Sequence, residues 1–246
     1  MLDPVLVHHM GKGAQGAKEP NDWEVGYGYQ LWKGRHETFR LCGAYGQIAI
    51  VMPSEDIVFV SHAGGDGANF KSVNAFYDAI LPGLSKVPLA ENPPALKAVR
   101  ERSAKLTITT PKCGARPTAE AVALAAKGCA VGTNGMGVRS VRYDEKSHLL
   151  EIVNEFGVQR IAVGKDGRWQ KGLAEMEADP PSILDRIQSG LQPYGASGGW
   201  TTATRLEVRV CFTRSPYVLD FSVDCSKGTA RASCRCVLEK RYCFGE

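Results

Sequence analysis

Few residues in this chain have the type and spacing that chemistry needs. The five histidines stand at 8, 9, 36, 62 and 148, with no metal-ligand spacing and no evident acidic partner. His148 falls in a turn and His62 ends a strand-like run. Only His36 lies beside a glycine-rich strand pattern, where an imidazole could meet a substrate. The eight cysteines at 42, 113, 129, 211, 225, 234, 236 and 243 include no Cys-x-x-Cys pair, so no metal site is expected. Small buried thiols in a reducing compartment are the expectation instead. Cys234 and Cys236 would share one face of a strand. Gly195-Ala196-Ser197-Gly198-Gly199 matches the letters of a nucleophile elbow. Such an elbow needs an apolar strand before it and a helix after it, so these residues read as a flexible loop. Gly64-Gly65-Asp66-Gly67 lacks the lysine of a phosphate loop and reads as a strand-to-helix turn.

The elements that must position these groups divide the chain. In residues 42–61, "CGAYGQIAIVMPSEDIVFVS", Ile48, Ile50 and Met52 alternate through one strand. Pro53-Ser54-Glu55-Asp56 turns the chain, and Ile57–Val60 begins a second strand. A helical segment follows from Ala68 to Leu81. Residues 84–119 are rich in proline and read as a linker, with a short helix over Ala95–Lys105 that carries Leu96 and Val99 on one side. Beyond it the pattern changes to strands. Leu206, Val208, Val210 and Phe212 alternate with polar neighbours, and so do Tyr217, Leu219, Phe221 and Val223. One helical turn capped by Ser182, or a long loop, fits "DPPSILDRIQSG". The domains read as 1–83, a linker over 84–119 and an all-β domain over 120–246, of small antiparallel barrel or sandwich type.

Composition narrows the function classes. Thirty basic residues against 26 acidic ones give a net charge of +4, too mild and too dispersed to call for nucleic acid. No stretch approaches about 18 apolar residues, so no membrane helix is expected. "MLDPVLVHHMGKG" lacks the basic start and apolar core of a signal peptide. These features together predict a soluble, cytoplasmic protein.

"GYGYQLWKGRHETFRLCGAYGQIAIVMPSEDIVFVSHAGG", residues 26–65, resembles the serine beta-lactamase-related hydrolases, the penicillin-binding-protein-like enzymes. Residues 26–32 and 35–47 follow one bacterial branch of that family without a gap. "GTNGMGVRSVRYD", "IAVGKDGRWQKG", "ASGGWTTATRLEVRVCFTRSPYVLDFSV" and the closing "YCFGE" are similar to that branch's carboxy-terminal β domain. The resemblance implies an α+β protein. Its first part would be the C-terminal fragment of a beta-lactamase/transpeptidase-like fold, antiparallel strands plus a closing helix, followed by the β domain.

The resemblance also implies which residues matter. The family's nucleophile and its activating lysine come from a Ser-x-x-Lys helix, one turn apart so that amine meets hydroxyl, and a Tyr-x-Asn-type motif adds the general-base region. Neither occurs in these 246 residues; the one Ser-x-Asn, Ser72 to Asn74, falls in the closing helix. Thr38–Gly43 match the third motif, the strand facing the acyl carbonyl. Leu41 would give the oxyanion-hole N–H, a donor worth about 3–4 kcal/mol in serine hydrolases. Arg40 or His36 would supply positive charge, and Gly43 and Tyr45 complete the pocket-strand candidates. Leu41-Cys42 departs from the family's Gly-Asp and adds bulk. Tyr27, Tyr29 and Trp32 read as core and pocket wall.

Two functions from different classes fit this sequence. One is the C-terminal portion of a serine beta-lactamase-like esterase, amidase or peptidase, inactive alone and acting on a small molecule or peptide once assembled. The other is a non-catalytic β-domain module for binding or structure. No cofactor, metal or nucleic-acid partner is expected, and self-association through uncovered apolar surface is.

Overall fold

A computed structural model describes residues 22, 26–65, 68–134, 136–154, 157–175 and 190–236. The expected helical turn at Ser182, together with His8, His9 and Cys243, lies outside them. The chain divides into two compact units, 1–91 and 92–246. Both are built mainly from antiparallel sheets with few helices.

In the first unit, β1 (Tyr27–Gly28), β2 (Leu31–Lys33), β3 (Phe39–Gly43), β4 (Gln47–Met52) and β5 (Ile57–Ser61) form one sheet in sequence order. The β4–β5 turn works because Pro53 opens a short 3-10 turn and Asp56, at φ 53°, donates its N–H back to the Pro53 carbonyl. Asp is among the few residues that tolerate that left-handed conformation. Helix α1 (Ala68–Ala75) continues as a π turn over Phe76–Ile80. Val73, Phe76 and Tyr77 pack on Ile48, Ile50 and Met52. The π turn decides which residue closes this layer. An α-helical period from Phe76 would send Ile80 to the sheet, but Leu81, five residues on, packs there and Ile80 is exposed.

The second unit opens with α2 (Pro93–Ala104), capped by the Asn92 side chain. Leu96 and Val99 on this helix are exposed. Next come α3 (Ala119–Lys127) and β6 (Cys129–Ala130), β7 (Ser140–Asp144), β8 (Leu149–Asn154) and β9 (Gly157–Ala162), a four-stranded sheet. A five-stranded sheet follows: β10 (Gln170–Glu175), β11 (Leu191–Trp200), β12 (Arg205–Phe212), β13 (Val218–Asp224) and β14 (Arg231–Cys236). Single parallel bridges, Val131 to Ala232 and Gly164 to Ser197, join the two sheets. Leu150, Ile161, Leu206, Val208 and Val210 are buried in these sheets. Residues 109–118 are tied along the second sheet. Gly114 and Ala115 donate to the Trp200 carbonyl, Thr118 donates to that of Ala203, and Arg209 Nη1 reaches the Thr109 carbonyl at 2.7 Å.

Two expectations need correction. The region from 120 is not all-β, because Thr118 caps α3 by accepting the Ala121 N–H at 3.1 Å. Ala121 and Ala125 are buried, and their small side chains let the helix lie close to β7. Gly195–Gly199 are not a loop either; they lie inside the ten-residue strand β11.

Candidate functional site

In the first unit a shallow, open groove of about 520 Å³ runs along the sheet. Strand pairing assembles it. Tyr27 sits opposite Trp32 across β1 and β2, Leu41 opposite Ala49 across β3 and β4, and Ala49 opposite Val60 across β4 and β5. The Tyr27 and Trp32 rings are 4.6 Å apart and make an apolar wall. Gln30, Gln47 and His62 supply polar groups to the lining.

The five sequence-predicted site residues do not converge. Leu41 and Gly43 line the groove. Arg40 points to the opposite, helix-covered side and is 0 % exposed. Its guanidinium donates to the Asp22 carbonyl at 2.8 Å and to the Lys33 carbonyl at 3.3 Å. His36 lies in the turn before β3, in a left-handed conformation, with its ring 5.5 Å from that of Tyr77. Tyr45, also left-handed, accepts the Gly65 N–H on its carbonyl and so ties the start of β4 to the loop after β5. Of the aromatics read as core and wall, Tyr27 and Trp32 form the wall, whereas Tyr29 is 70 % exposed.

Behind the sheet lies a polar cluster that no local spacing announces. Arg35 meets the Asp22 carboxylate through Nε at 3.1 Å and Nη2 at 3.0 Å, donates to Asn74 and covers the Tyr77 ring at 4.5 Å. Burial opposes the Arg35 charge, but the Asp22 hydrogen bonds and charge outweigh it and raise its pKa. Burial likewise pushes the Tyr77 phenol up, although Thr38 hydrogen-bonds to it. A side chain at Gly34 would sit 2.5 Å from both the Thr38 and Tyr77 oxygens, so only glycine fits beneath this pair. Asp22 and Arg35 are 13 residues apart and Tyr77 is on the helix, so only the tertiary fold joins them. The cluster braces the turn that carries His36.

No group in the groove is poised as a nucleophile. Burial pushes the Cys42 thiol up, only partly offset by Arg40 beside it. Ser61 shares a 3.0 Å hydrogen bond with Ser72 and has no basic partner there. Ser197 is fully buried in β11, far from the strand-turn-helix context of an elbow. Burial raises the thiols of Cys113, Cys211 and Cys225 to about 11, which keeps them protonated at neutral pH. Among the described residues, no three His, Cys, Asp or Glu side chains gather in a way that would hold a metal ion. No helix among them is long and apolar enough to cross a membrane.

No family model, curated protein or solved structure matches the chain.

Proposed function

We propose that the first unit forms the pocket-side sheet of a serine beta-lactamase-like hydrolase and that the second unit is its C-terminal β domain. The observation that carries the reading is the placement of Leu41 and Gly43. These two of the residues that the sequence resemblance assigns to the acyl-facing strand line the groove of their unit, beside the Tyr27–Trp32 wall. Five antiparallel strands followed by one helix are compatible with that assignment. Arg40 has no part in it, because its guanidinium is turned behind the sheet, where Nη1 and Nη2 donate to the Lys33 and Asp22 carbonyls. The nucleophile would come from a Ser-x-x-Lys segment that this sequence does not contain.

The test has two arms. A nitrophenyl ester and a chromogenic lactam should not turn over above background with this chain alone. Stoichiometric acylation of any of its serines by a fluorophosphonate would overturn the inactive assignment. In the second arm, amide NMR during titration with a penicillin or a D-amino-acid dipeptide should shift Leu41, Gly43 and Gln47. Unshifted groove amides at ligand saturation would remove the groove from the reading.

A non-catalytic reading rests on the second unit. A groove of about 450 Å³ runs along residues 131–139, where the Asn134 side chain holds the loop. Its amide donates to the Gly132 and Val138 carbonyls, and its oxygen accepts from Met136 and Val138.

A further inference from the structure

We infer that β5 is a self-pairing edge, through which two copies of this chain join their first-unit sheets in antiparallel register about Phe59. Among the described residues β5 is hydrogen-bonded to β4 alone, so its other side presents unpaired N–H and C=O groups. Natural edges are blunted by a charge, a proline, a bulge or a very short strand. Ile57-Val58-Phe59-Val60-Ser61 carries none of these, and Val58 and Val60 are 66 % and 68 % exposed.

The residues flanking the strand point to a second copy as the occupant. A two-fold axis at Phe59 sets Val58 opposite Val60 of the second copy and Ile57 opposite Ser61. The same register brings Asp56, the left-handed turn residue just before the strand, to the end where His62 of the second copy leaves it, and the symmetry repeats that pair at the other end. Both residues are exposed. A shift of the register by two residues would lose both pairs and would set Val58 or Val60 against a polar end residue. Opposed residues of antiparallel strands share a face, so the helix-covered sides align and so do the open sides. Pairing therefore satisfies the edge without burying a new charge. Because Val60, Ser61 and His62 line the groove, the two grooves would lie side by side on one continuous sheet. The interface stands whether or not the groove belongs to a hydrolase.

Sedimentation velocity on the full chain should show a monomer–dimer equilibrium. Asp56→Lys and His62→Glu should each weaken it about tenfold, since two modest Asp56–His62 contacts are lost per dimer. An equimolar mixture of the two variants should recover wild-type affinity. Only the mixed dimer sets the introduced lysine against the introduced glutamate at one end while keeping the native Asp56–His62 pair at the other. Leu41→Lys, on the open face two strands from the edge, should leave the equilibrium in place, with circular dichroism verifying the fold of each variant. A chain that is monomeric at every concentration would overturn the inference. So would a dimer indifferent to residues 56 and 62, or folded variants whose mixture fails to associate. Loss of the dimer in Leu41→Lys with indifference at 56 and 62 would move the contact to the sheet face and reject the edge.

Discussion

Arg40 is the residue where alternation alone misleads. In "TFRLCG" the polar arginine would face water and Leu41 the core, or else the arginine would face a pocket. Register decides otherwise. Arg40 pairs with Ile50 and Leu41 with Ala49, and Ile50 belongs to the helix-covered face. Arg40 is thereby forced inward and Leu41, 52 % exposed, outward. Arg40→Met keeps much of the volume and removes the donors to the Asp22 and Lys33 carbonyls. It should cost about 2–4 kcal/mol in urea unfolding of the first unit, with no change in groove-ligand affinity. Asp220 offers a pH-dependent counterpart in the second unit. Burial alone would raise its carboxyl, but the Arg209 hydrogen bonds and charge, then those of Arg235, hold it below the usual range. Arg209 grips it at 2.6 and 2.8 Å and Arg235 at 3.2 Å. A depressed folded pKa stabilises the native state above the unfolded value, near about 3.9, and that stability is lost as pH falls through the folded value. Asp220→Asn should therefore lower the melting temperature at pH 7, and the gap to wild type should be smaller at about pH 3, below the unfolded value. A gap of the same size at both pH values would refute the charge-based account.

Elements were legible where pattern and turn chemistry agreed, as in β4, β5, β12 and β13. They were misread where tertiary packing sets the composition. The glycines of β11 resemble loop residues, yet Gly198 and Gly199 answer close approaches and Gly195 an ordinary contact. Cβ atoms built at Gly195 and Gly199 would meet Trp169 at 3.4 Å and Cys113 at 3.2 Å, and one at Gly198 would lie 2.4 Å from the Glu207 carbonyl oxygen. Nothing within "GASGG" announces those neighbours, which come from distant segments. Gly198→Ala must displace backbone, and it should destabilise the second unit by about 3 kcal/mol. Thermal unfolding within about 0.5 kcal/mol of wild type would mean that β11 and β12 are spaced more loosely than these distances indicate. Helix α3 was missed for a different reason. "TAEAVALAAK" has good helix formers behind a Thr cap, but it follows a proline-rich run that reads as linker. The groove was half legible: Leu41 and Gly43 fall on the matched strand, whereas Gln30, Gln47 and His62 join only through strand pairing.

At the scale of the whole molecule, the division at residues 91 and 92 makes a claim about cooperativity. Each unit has its own enclosed core, Ile48, Ile50, Val73 and Phe76 in the first and Leu150, Leu206, Val208 and Val210 in the second. Residues 84–92 between them are exposed and outside regular structure, whereas residues 109–118 are held by hydrogen bonds to β11, β12 and the turn after β11. Trypsin should therefore cut after Lys86 well before Lys112, leaving a resistant second-unit fragment. Val208→Asp probes the same division from inside. Val208 is 1 % exposed and pairs across the sheet with Gly198 and Phe221, neither of which offers a carboxylate a side-chain partner. The cost, more than about 4 kcal/mol, is comparable to the whole stability of a small domain. The second unit should unfold, and Lys112 should become as cleavable as Lys86. The first unit should keep its dispersed amide resonances at Ile50, Val73 and Phe76, because its core draws on residues of that unit alone. If those resonances collapse together with the second unit's, the two cores are coupled and the chain folds as one cooperative body.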